Sequence, residues 1–212
     1  MSLRKLLGDE EFNPGDLSRF SVGGKTNFNP KPVIGIARDG IINQFKPNHV
    51  KTPDDFDPIP DALKAIALIR SKGYRIVIFA SQWGISEGRL TQVDVDLVHQ
   101  KMLQLFGEAG CSSIEGIYYS TSKMKEDIYA FPNTGMFERA EKEARVKFKE
   151  GWFVGHTIAE IKAAQNIKAK PILITTGEGL ETEKKLNSYA NRDLKQKTKV
   201  FSTLLEFAES LE

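Results

Sequence analysis

Short apolar runs that alternate with helical patterns of ten or more residues constrain this chain more than any other feature. Val33–Ala37, Arg75–Ala80, Ile114–Tyr119, Trp152–Val154 and Pro171–Ile174 are runs of strand length bounded by turn-forming residues. Between them, apolar residues recur at helical spacing, as in Leu97, Val98, Met102, Leu105 and Phe106, and glycines close the segments at Gly73, Gly107 and Gly110. Strands that alternate with helices predict a parallel sheet covered on both faces, an α/β domain over residues 33–212. Ligands of such sheets sit beyond the carboxyl ends of the strands. The stretches Ala37–Asn43, Ala80–Gly88, Ser120–Met136 and Gly155–Glu160 are therefore where a site is expected.

Residues 1–32 read differently. Asn13-Pro-Gly, Gly23-Gly24 and Asn29-Pro-Lys-Pro break any periodicity, and apolar residues appear singly, so this segment is expected to be an extended arm. Phe12, Phe20 and Phe28 are its candidate anchors for docking on a protein partner or a second copy of the chain. Thirty basic against 28 acidic residues give a net charge of +2, too little to call for nucleic acid or a membrane as partner. No apolar run approaches the ~20 residues of a spanning helix, and the start resembles neither a signal nor a transit peptide. A single cysteine, Cys111, leaves no internal disulfide and no Cys-rich zinc module. A reducing, cytoplasmic compartment is the expectation, with membership of a large assembly as a further one.

Read together, the strand ends carry a resemblance. Arg38-Asp-Gly-Ile-Ile-Asn43, Ile78-Phe-Ala-Ser-Gln-Trp-Gly-Ile-Ser-Glu-Gly88, Pro132-Asn-Thr-Gly-Met136 and Phe153-Val-Gly-His-Thr-Ile-Ala-Glu-Ile-Lys-Ala-Ala164 come in order and with sensible spacing. They resemble the four motifs of the haloacid dehalogenase superfamily, in particular its heptose bisphosphate and histidinol phosphatases. The stretch Pro132–Met136 is also similar to polynucleotide 3′-phosphatases. The resemblance implies a three-layer, Rossmann-like parallel sheet of that type. It further implies a carboxylate nucleophile ending the first strand, a second carboxylate acting as acid and base, a hydroxyl and a lysine on the phosphoryl group, and Mg²⁺ carboxylates in the fourth motif.

Residue by residue, most of those groups are replaced. Ala37 stands at the nucleophile position, and Asp39 keeps the second carboxylate. Ala80 stands for the hydroxyl, with Ser81 one place late, Phe131 for the lysine, and His156 and Glu160 for the metal acids. The zinc ligands of the heptose phosphatases give way in part to Ser120, Ser122 and Lys123. Since losing one member of a catalytic unit can forfeit roughly six powers of ten in rate, the expectation is a catalytically inactive member serving as a binding or structural subunit, with no cofactor. The alternative is a phosphomonoesterase acting on a sugar phosphate such as heptose bisphosphate, for which Mg²⁺ would be expected. Asp39 is read as capping the loop at Gly40, His99 as a boundary residue, and Glu181–Lys199 as a solvated basic surface.

Overall fold

The computed structural model describes residues 31–212, so the arm and its Phe12, Phe20 and Phe28 lie outside the described residues. Six parallel strands form one sheet in the order β3-β2-β1-β4-β5-β6. The strands are β1 (Val33–Ala37), β2 (Arg75–Ser81), β3 (Gly116–Ser120), β4 (Trp152–Gly155), β5 (Lys170–Ile174) and β6 (Lys199–Phe201). The helices are α1 (Ala62–Ser71), α2 (Gln92–Glu108), α3 (Gly135–Glu143), α4 (Ile158–Asn166), α5 (Gly179–Leu186), α6 (Arg192–Lys197) and α7 (Leu204–Ser210). This is the α/β architecture that the alternating pattern predicts.

The central strands are apolar because both faces are covered; every residue of β1 is buried. Register then brings the strand ends together: Ala37 lies beside Phe79, and Ile36 beside Val154. The groups that follow β1, β2 and β4 therefore open onto one rim. Beneath them lies an aromatic cluster in which Phe79 packs on Phe137, Phe148 and Phe153 at ring separations of 4.5, 5.7 and 5.5 Å. Gly35 makes that packing possible, since a methyl there would come within 2.7 Å of Phe153 Cδ2.

Some elements depart from expectation. Asp61, of a residue type that commonly caps helices, precedes α1 with a left-handed backbone (φ 62°) and makes no side-chain cap bond. Apolar Phe137, Ala140, Ala144 and Phe148 recur at helical spacing, yet α3 ends at Glu143, and Arg145 turns the chain with φ 51°. Phe148 still enters the core, fully buried, from the loop. The basic stretch after Glu181 is not bare surface: it contains most of α5, all of α6 and the start of β6, with Leu186 and Leu194 packed on Ile161 and Leu173.

Candidate active site

All seven strand-end positions singled out above line one cavity of about 260 Å³: Ala37, Asp39, Ala80, Ser81, Phe131, His156 and Glu160. Ala37 presents a buried methyl where the family's nucleophile would stand. Two residues on, Asp39 is not a loop cap. The Gly40 amide donates to Asn43 O at 2.7 Å, while the Asp39 carboxylate is gripped from one side by Arg38. Arg38 Nε donates to Oδ1 at 3.1 Å and Nη2 to Oδ2 at 2.8 Å. The guanidinium side chain is only 1% exposed and the carboxylate 23%, so a buried cation holds a carboxylate at the cavity wall.

The second strand ends in Ala80 and Ser81, followed by Gln82 and Trp83 on the cavity wall. Trp83 takes His49 edge-on at 4.2 Å and Lys123 Nζ over its face at 4.0 Å. Burial first, and then the neighbouring Arg89 charge, lower the His49 pKa below its usual 6.5. The loop after β3 is tied by Ser120 Oγ, which donates to Ser122 O at 2.8 Å and so carries Lys123 to the mouth. Phe131, read above as standing for the family's lysine, has its ring near those of Phe137 and Phe153, at 6.0 and 5.8 Å.

The fourth motif is rebuilt as a structural tie. Glu160 Oε2 accepts the amides of His156 and Thr157 at 2.8 and 3.0 Å, and Thr157 Oγ1 accepts the Glu160 amide, forming a capping box at the start of α4. His156 Nδ1 accepts the Glu178 amide at 3.0 Å, which places the ring proton on Nε2. With Nδ1 engaged and Nε2 protonated, His156 has no lone pair for a metal. Among the described residues no cluster of three or more His, Cys, Asp or Glu side chains is placed to hold an ion. Sequence reasoning gave no role to Arg38, Lys46 or His49, and His99, read as a boundary residue, is instead buried on α2 behind Arg38, 3.0 Å from its Nη1. Only the adjacency of Arg38 to Asp39 hinted at any of them.

A parallel sheet whose strand-end loops converge on one cavity, with an acid-bearing loop after β1 and a capped helix after β4, has the architecture of the haloacid dehalogenase superfamily. The polynucleotide kinase 3 phosphatase family matches residues 39–195. The D-glycero-β-D-manno-heptose-1,7-bisphosphate 7-phosphatase of Neisseria meningitidis is 30% identical over 178 residues, covering 84% of this chain and 92% of that one. The enzyme of that name from Pseudomonas aeruginosa is 27% identical over 181 residues, 85% of this chain and 98% of its own. A solved D,D-heptose 1,7-bisphosphate phosphatase from Bordetella bronchiseptica, complexed with magnesium and phosphate, superposes with a TM-score of 0.76 at 24% identity, over 84% of this chain and 96% of that one. The chain belongs to the heptose bisphosphate phosphatase family.

These relatives correct two expectations. An inactive structural subunit is overturned by kinship, along most of the chain, with proteins named as phosphatases; the phosphomonoesterase alternative is the reading they favour. The expectation of no cofactor is overturned too, because the Bordetella relative is a complex with magnesium and phosphate. Beside the replaced side chains, Asp39 stands at the cavity wall, paired with buried Arg38.

Proposed function

We propose that this chain is a phosphomonoesterase of sugar-phosphate type that works by direct attack of water on phosphorus, without an aspartyl-phosphate. The observation that carries the proposal is Asp39, held by buried Arg38 at the wall of the strand-end cavity in a chain akin to heptose bisphosphate phosphatases. Ala37 removes the carboxylate on which a phosphoenzyme would form, and its small methyl leaves room for water. Asp39 takes the proton of that water as its oxygen bonds to phosphorus and the ester oxygen leaves; the leaving oxygen is protonated from solvent at the open mouth. Positioned acid–base groups of this kind contribute about 10²- to 10⁴-fold. Lys46 and Lys123, paired with Asp55 and Glu87 in the free protein, supply positive charge at the mouth for the phosphoryl oxygens.

Magnesium is tested against the donors present. An all-protein cage is missing, but Mg²⁺ is commonly held by one or two carboxylates together with substrate phosphate and water. Asp39 and Glu160 are two carboxylates on one cavity, and Glu160 spends only Oε2 on the helix cap. With Asp39 held by Arg38 as the acid–base group, Glu160, whose Oε1 is free of the cap, is the carboxylate that would hold an ion shared with the substrate. Bound there, magnesium supplies neutralisation of phosphoryl charge.

The test is phosphate release from D-glycero-β-D-manno-heptose 1,7-bisphosphate with Mg²⁺ present, combined with acid quenching and mass measurement of the protein. Release with no phosphorylated protein supports the proposal. A trapped phosphoprotein overturns the direct-attack step, and no release overturns the activity.

A further inference from the structure

We infer that His99 is a positioning residue for the reaction, setting Asp39 through Arg38; this rests on the phosphomonoesterase reading above. Arg38 is the largest of the fully buried side chains, and its guanidinium is spent in two directions. One edge holds both oxygens of Asp39, at 3.1 and 2.8 Å. The remaining terminal nitrogen, Nη1, lies 3.0 Å from Nε2 of His99. A guanidinium has donors and no acceptor, so His99 Nε2 must be the bare, accepting nitrogen. The imidazole is then neutral with its proton on Nδ1, and it is fixed in that form by its neighbour.

The surroundings support the same state. His99 is 3% exposed on the inner face of α2, between the core residues Val98 and Met102, and its ring lies 5.6 Å from that of Tyr119. Burial first, and the Arg38 charge second, hold its pKa well below 6.5. A buried guanidinium with a free Nη1 could rotate to find another acceptor and carry Asp39 with it. The acceptor on α2 removes that freedom. A displacement near 1 Å at a reacting group can cost about a hundredfold in rate, so the buried chain from α2 to Arg38 to Asp39 ties catalytic geometry to a helix outside the cavity.

Two substitutions separate positioning from mere packing. His99→Leu keeps the volume and removes the acceptor; His99→Gln places an amide oxygen where Nε2 was. The expected results are a kcat about 10²-fold lower for H99L with KM little changed, recovery of most of that loss in H99Q, and no added loss from H99L in an Asp39→Asn background. Equal kcat in H99L and wild type, or H99L and D39N effects that multiply, would overturn the inference. Nitrogen-15 NMR of the wild-type histidines reads the geometry apart from turnover: Nε2 of His99 should stay unprotonated at about pH 6.5, where a free imidazole is half protonated. A proton on Nε2 sinks the positioning role even if the enzyme is active. A bare Nε2, with an Arg38 Nε–H signal that is protected in wild type and H99Q but lost in H99L, upholds the tie even if no phosphate is released, which would be failure of the functional reading instead.

Discussion

At the scale of single residues, the site turns on a buried positive charge. Arg38 is almost wholly removed from water, at 1% exposure, and an unpaired guanidinium there would be strongly destabilising. It is satisfied from both sides, by the Asp39 carboxylate and the neutral His99 ring. This arrangement makes stability depend on pH in a definite direction. The native state holds His99 unprotonated, with a pKa depressed from 6.5 by burial and by Arg38, while Tyr119 is the other titratable group against its ring. Below about pH 6.5 the unfolded chain takes up a proton that native His99 refuses, so stability is lost as pH falls and is fully present above it. The slope reaches at most about 1.4 kcal/mol per pH unit for this one group. Urea unfolding between pH 7 and pH 5 should show a steeper fall for wild type than for H99Q; parallel curves would contradict the neutral, buried His99. None of this was legible in the sequence, where a lone histidine on a helix gives no sign of what it faces.

At the scale of elements, the loops after β1, β4 and β5 are locked around His156. Gly40 (φ +76°) and Gly177 (φ +56°) both press on the ring; a methyl on Gly40 would lie 2.5 Å from His156 Cε1, and one on Gly177 2.7 Å from Nδ1. Thr176 Oγ1 completes the lock by donating to Gly40 O at 2.6 Å. Gly40→Ala therefore combines a left-handed backbone with a clash, whereas Gly88→Ala (φ +67°, with nothing within 4 Å) carries the backbone strain alone. The expected cost is about 1 kcal/mol for G88A and clearly more for G40A, read from urea midpoints at constant slope. Equal losses would show that His156 does not fill that space. Elements with strong periodicity, β1, β2, α2 and α4, were readable from sequence because both strand faces are buried or a Thr–Glu or Thr–Asp capping box marks the helix start. β6 was missed because its three residues, Lys199–Phe201, show no run of buried positions. The helices α5 and α6 were missed because each presents a single buried leucine, Leu186 or Leu194, amid charged residues.

At the scale of the whole molecule, the cavity rests on the aromatic cluster. Phe79 ends up beneath it, fully buried, with its carbonyl accepting the Arg38 amide at 2.8 Å. Phe79→Ala should cost about 3–5 kcal/mol in stability and loosen the floor under Arg38; a loss below about 1 kcal/mol would mean that the cluster does not support the site. The family frame was legible because strand ends and helix caps are fixed by backbone geometry that the motifs encode. The chemistry was not, because it depends on Arg38, which motif matching treats as a spacer, and on contacts across the sheet. The most direct measurement is the steady-state rate of phosphate release from D-glycero-β-D-manno-heptose 1,7-bisphosphate with Mg²⁺, for wild type beside Asp39→Asn. Release by the wild type that falls about 10²- to 10⁴-fold in D39N is the expected result. No release by the wild type, or release that D39N leaves unchanged, would contradict Asp39 as the acid–base group of a working phosphatase.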